Sequence, residues 1–75
     1  MDIRKLFGAN TRRFRLDLRL SQEAVAERMG VDRAFISSME RGLQNVTLLT
    51  IWQVSQALEV RPAQLLEEKT AKIRP

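Results

Sequence analysis

The chain has 75 residues, a net charge of +4, and neither cysteine nor histidine. That length allows one small domain whose modest core is often helped by association. The composition excludes disulfides, zinc–thiolate sites and histidine-based general base chemistry, and no apolar run approaches a membrane span.

The first helix is predicted from about Ile3 to Leu18, with Phe7, Thr11, Phe14 and Leu18 as its inner stripe. Thr11 is a weak filler of such a stripe. This segment also holds the charge excess. Residues 1–20 carry six basic side chains (Arg4, Lys5, Arg12, Arg13, Arg15, Arg19) against Asp2 and Asp17, while the other 55 residues are balanced at seven of each. A basic excess suits a polyanion, an acidic membrane surface or simple solubility.

The next stretch, LSQEAVAERMGVDRAFISSMERG from Leu20 to Gly42, reads as two short helices joined by a tight turn. With Gln22 as position one, Val25 and Met29 share one face of the leading helix. Ala26 is small enough for two helices to cross steeply. Gly30 stands where the chain must reverse through a left-handed residue. Val31, Ile36 and Met39 then take the inward positions of the turn and the second helix. Ser21 is placed to cap the leading helix and Asp32 the second, which should run to about Arg41 and stop at Gly42. Neither start has a full capping box, because Ala24 and Phe35 occupy the third helical positions. Together the seven inward and turn positions describe a helix-turn-helix, the form that places a helix in the major groove of DNA. The bland alternative is a helical hairpin in a small bundle.

A loop of Leu43, Gln44, Asn45 and Val46 follows. Thr47 should cap a fourth helix that ends near Leu58, with Leu48, Ile51, Val54 and Leu58 as its core stripe. A last short helix should begin at Pro62, a favoured first position, and carry Leu65 and Leu66. The expected architecture is all-α: five helices in one domain spanning residues 1–75, with a core of about 3–68 and a polar tail over 69–75.

The run L-S-Q-E-x-[LV]-A, then G-[VL], then I-S-x-x-E-R-G stands in this chain almost entire. It closely resembles the Cro/C1-type (phage-repressor-like, XRE) helix-turn-helix family, and the likeness extends from about Phe7 to Leu66. Within that family, DRAFISSMERGLQNVTLLTI looks most like the controller proteins of restriction–modification systems. The resemblance implies a sequence-specific transcriptional regulator that binds double-stranded DNA in the major groove as a homodimer on a two-fold symmetric operator. A soluble cytoplasmic protein acting at the nucleoid is expected, since no signal peptide precedes the domain. The resemblance also implies a pairing of Arg15 with Glu40 across the first and third helices. It gives Gln22 a phosphate contact and a bracing role.

Candidate DNA-binding residues are Gln22, Arg33, Ala34, Ser37, Ser38, Arg41, Gln44 and Asn45. Helix N-termini bind anions, which suits Gln22. Arg33, near the start of the reading helix, is the leading candidate for base readout, because a bidentate Arg–guanine pair is the commonest specific contact. Its bland alternative is a surface ion pair with Asp32 or Glu27. Ala34 could pack on a thymine methyl, and the Ser37 and Ser38 hydroxyls could bond bases or phosphates. Gln44 and Asn45 would supply loop contacts. The controller pattern usually has Ser or Thr at Ala34, Tyr at Phe35 and Arg at Gln44, so three common contacts are replaced.

Leu49, Trp52 and Gln56 fall outside the core stripe of the fourth helix, and an exposed Leu–Trp pair suggests a dimer interface. The alternative folds Trp52 under the last helix. Two other functions fit the fold: an autorepressing antitoxin, and a protein-interaction module that no longer binds DNA. An enzyme is not expected. There is no glycine-rich phosphate loop, and Asp17, Glu23, Glu27 and Glu59 each suit a solvated helix surface. No metal, cofactor or small-molecule ligand and no membrane partner is implied.

Overall fold

The computed structural model describes residues 1–68, so the expected polar tail over 69–75 lies outside the described residues. The chain forms α1 (Ile3–Asp17), α2 (Gln22–Met29), α3 (Arg33–Glu40), α4 (Leu48–Leu58) and a 3-10 turn (Pro62–Leu66). Among the described residues there is no strand, and no helix is long and apolar enough to cross a membrane. The fifth expected helix is thus a 3-10 turn. It has only five residues, and Glu67 behind it is extended. A segment that short gains little from α-type bonding and closes i→i+3 instead, as in the 3.0 Å bond from Gln64 N to Arg61 O.

Three of the four α-helix starts are capped by the side chain of the preceding residue. Asp2 caps α1 by accepting from Arg4 N at 3.0 Å, and its hydrogen bond to the Arg4 side chain holds the carboxyl below its usual range. Ser21 Oγ accepts from Ala24 N at 3.0 Å, and Thr47 Oγ1 from Thr50 N at 3.1 Å. Asp32 has the extended backbone of a cap, yet its side chain makes no capping bond. That expectation is corrected: α3 starts on backbone geometry alone.

All four helices end alike. A left-handed residue follows the last turn, and two N–H groups reach back to the carbonyls left open there. For α2 these bonds run from Val31 N to Ala26 O and Gly30 N to Glu27 O, and for α3 from Leu43 N to Ser38 O and Gly42 N to Met39 O. Gly30 and Gly42 supply the left-handed residue without steric cost at φ 71° and 77°. Arg19 and Glu59 do the same for α1 and α4 at φ 58° and 60°, where a Cβ is strained.

The core is built from Phe7, Val25, Ala26, Ile36, Met39, Val54, Ala57, Leu58 and Leu65, with Phe14, Leu20, Val31 and Ile51 packed on its rim. The inward residues expected at the motif are buried or half-buried. Two expected core positions are not. Leu18 is 38% exposed and Leu48 is 85% exposed. Both stand at helix ends, where the next turn that would bury them is missing: α1 stops at Asp17, and Leu48 is the first residue of α4. Polar residues are buried in α1 as well. Thr11 is fully buried and satisfies its hydroxyl by donating to Phe7 O at 2.8 Å. Asn10, also fully buried, donates to Leu65 O at 2.9 Å and Glu67 O at 3.1 Å. It ties α1 to the C-terminal turn across the chain.

Candidate nucleic-acid interface

Ile36 and Met39 are buried, which leaves the opposite side of α3 outward. Arg33, Ala34 and Arg41 are exposed on this side, and Ser37 and Ser38 are half-buried. Among the described residues Arg33 forms no ion pair with Asp32 or Glu27. Its guanidinium is therefore not committed to the surface pair that was its bland alternative. Arg41 reaches its Nε to Ser37 O at 3.4 Å, a long bond that leaves the rest of its fork in solvent. In the loop behind α3, Asn45 is exposed and Gln44 is half-buried. Gln44 Nε2 donates to Ser38 Oγ at 2.9 Å.

The outer face of α3 is held by a buried carboxylate on its inner side. Glu40 receives Arg15 Nε at 2.6 Å and Arg15 Nη2 at 3.0 Å, a bidentate pair with the Glu40 side chain 2% exposed. Gln22 Nε2 adds a third bond to Glu40 Oε1 at 3.1 Å, and Arg15 Nη1 donates to Leu20 O at 2.8 Å. The Arg15–Glu40 pair thus joins α1, α3, the entry to α2 and the first residue of α2. Charge-assisted bonds of this kind are short and directional, so they set the angle between helices more than they add stability. Gln22 spends one amide hydrogen on this bracing, with its other polar atoms left at the N-terminus of α2.

Two features here had no sequence signal. Gly8 lies under the last turn of α3. A Cβ built on it would stand 2.5 Å from Met39 O and 2.7 Å from Glu40 O, so only glycine lets α1 run this close. Arg28 on α2 donates to Ala57 O at 2.7 Å, at the C-terminal end of α4 where cations are favoured. A helical glycine and a surface arginine look ordinary in a sequence; the close approach of another helix makes them particular.

On α4, Leu49 is 64% and Trp52 53% exposed, and Gln56 is exposed beside them. Trp52 does not fold under the last turn. It borders a shallow depression with Arg28, Met29, Gln53, Gln56 and Ala57.

A family model described as helix-turn-helix matches residues 12–65, which contain α2 and α3 whole. The chain is 43% identical over 70 residues to the control protein C.BamHI of Bacillus amyloliquefaciens, covering 92% of this chain and 86% of that one. It is similar to the crystal structure of the restriction–modification controller protein C.AhdI of Aeromonas hydrophila, at 37% identity and a TM-score of 0.79, over 83% of this chain and 94% of that chain. It is also similar to the controller protein C.Esp1396I, whose tetramer was solved in complex with its natural 35 base-pair operator, at 25% identity and a TM-score of 0.78, over 87% and 86% of the two chains.

Proposed function

The chain belongs to the Cro/C1-type helix-turn-helix family of DNA-binding transcriptional regulators, and from that premise we propose that it is a sequence-specific regulator of the controller type. It binds double-stranded DNA as a homodimer on a two-fold symmetric operator, with α3 in the major groove. It acts in the cytoplasm, at the nucleoid. The observation that carries this reading is the outer face of α3, where Arg33 is exposed and free of any ion pair among the described residues, on a helix braced from beneath by Arg15, Glu40 and Gln22. A guanidinium held open on a rigid helix is pre-organised for the paired acceptors of guanine. Arg41, Ser37, Ser38 and Asn45 flank it, with Ala34 against a thymine methyl.

Length supports the dimer. Eight residues of α3 span about 12 Å, which covers roughly four base pairs at about 3.4 Å each. That is too short a site to be useful alone, and two-fold dimers extend it with half-sites about 34–36 Å apart. Leu49, Trp52 and Gln56 offer the face, since a large apolar pair exposed on a small protein is the composition of an interface core. The C.Esp1396I complex adds support from a relative that assembles on its operator.

Binding-site selection from random duplexes tests the function. The expected product is a two-fold symmetric motif whose binding falls with salt at a slope of about −0.9 per phosphate neutralised. No enriched motif at low salt would leave only the fold and favour a protein-interaction module. For the dimer, light scattering should give the mass of two chains for the wild type and of one for Trp52→Ala at the same concentration. A wild-type monomer would turn this face toward another protein, as an antitoxin would require.

A further inference from the structure

We propose that Gln44 is a positioning residue that turns the Ser38 hydroxyl into a hydrogen-bond donor toward DNA, and so narrows the base choice at one position of each half-site. The proposal rests on α3 being the DNA-reading helix. A free serine hydroxyl has one hydrogen and two lone pairs, so it serves donors and acceptors on base edges alike. Ser38 is not free in this sense. Gln44 Nε2 lies 2.9 Å from its oxygen, and an amide nitrogen can only donate. One of its two lone pairs is therefore occupied, and the hydrogen must point away from Gln44, which biases what remains toward donation.

Within a helix the usual outlet for that hydrogen is the carbonyl four residues back. Thr11 does this, bonding Phe7 O at 2.8 Å. Among the described residues Ser38 makes no such bond to Ala34, so no backbone carbonyl of its own helix takes that hydrogen. The backbone places Gln44 within reach of Ser38. The bonds from Gly42 N to Met39 O and Leu43 N to Ser38 O fold the loop onto the last turn of α3. Gly42 itself is pinned by its φ of 77° and by Lys5, whose Cα would lie 2.9 Å from a Cβ placed there.

A serine with its hydrogen directed away from Gln44 and one lone pair already used favours an acceptor in the major groove, such as guanine N7 or O6, adenine N7 or thymine O4, over the amino group of cytosine. The test is binding-site selection with the full chain and three variants, with a thermal melt of each. Wild type should show one column per half-site with a preference of about fivefold for an acceptor base, the size of one neutral hydrogen bond. Gln44→Leu should flatten that column and leave the others intact. Gln44→Glu, whose carboxylate can only accept and so recaptures the serine hydrogen, should move the column toward bases that present an amino group. Ser38→Ala should flatten the same column, and adding Gln44→Leu to it should change nothing more. A wild-type motif with every column unchanged in Gln44→Leu overturns the coupling and leaves DNA reading intact. A loss spread evenly over all columns overturns it too, because Ser38 or Gln44 then holds a phosphate. If wild type enriches no motif, the assignment of α3 falls and the proposal falls with it.

Discussion

Glu40→Gln should lower the melting temperature by about 10–20 °C, and Glu40→Ala by more. The carboxylate accepts three bonds in a nearly sealed site, two from Arg15 and one from Gln22. Forming such a pair gains little, since desolvation offsets attraction, but removing one partner leaves the other charge buried and costs about 3–5 kcal/mol. Glutamine keeps the volume and one acceptor, so about 2–3 kcal/mol is expected there. A 75-residue domain commonly has roughly 4–11 kcal/mol to lose, and each kcal/mol moves the melting point of a domain this size by about 4–8 °C. The double variant Arg15→Met with Glu40→Leu should recover much of the loss, because no uncompensated charge remains. Thermal melts of wild type, Arg15→Met, Glu40→Leu and the double variant form a double-mutant cycle, and a coupling near zero would contradict the bracing role of the carboxylate.

Gly8→Ala should also destabilise, by about 2 kcal/mol, and here two effects compete in sign. Inside a helix, alanine is favoured over glycine by about 0.5–1 kcal/mol. Against this stands the new methyl, 2.5 Å from Met39 O and 2.7 Å from Glu40 O. Both are backbone atoms and cannot rotate aside, so α1 must shift, and overpacking of that kind costs about 1–3 kcal/mol or more. Arg15 lies seven residues on, along the same face of α1, so the shift also strains its bond to Glu40. A fall in melting temperature of roughly 10 °C is the expected result. A rise would mean that helix propensity wins and that the approach of α1 to α3 is looser.

The helix-turn-helix was legible in the sequence because its constraints are local. Small, inward and left-handed positions fall at fixed spacings, and Ser21, Thr47, Gly30 and Gly42 mark ends by their own chemistry. The Arg15–Glu40 pairing came from the family pattern, and the two groups lie 2.6 Å apart. What escaped was set by tertiary approach. Periodicity extended the apolar stripes to Leu18 and Leu48, one step past where neighbours stand to cover them. It passed over Asn10, because a buried amide is revealed only by the carbonyls of Leu65 and Glu67 arriving from the far end of the chain. The sequence predicts a helix for the last segment, although a single turn after Pro62 is too short to prefer α-type bonding.

At the candidate interface, sequence reasoning chose which residues could face outward but not how they engage one another. The sequence offers Gln44 as a loop contact to DNA and gives no sign that its amide meets Ser38. Asp32 has the residue type and position of a side-chain cap, and it leaves that bond unmade. Gln22 was given two roles, and the bracing bond to Glu40 occupies part of its amide. Each outcome depends on a side-chain torsion, which spacing along the chain does not fix.

On the proposed reading, Arg33 contacts bases and does not merely attract phosphates. Its most direct test is the affinity of wild type and Arg33→Ala for the selected operator and for a scrambled duplex of equal length, at one salt concentration. A bidentate contact contributes about 1–3 kcal/mol of discrimination, so the operator-to-scrambled ratio should fall at least about fivefold in Arg33→Ala. Equal losses on both duplexes would make Arg33 a phosphate contact and contradict the claim.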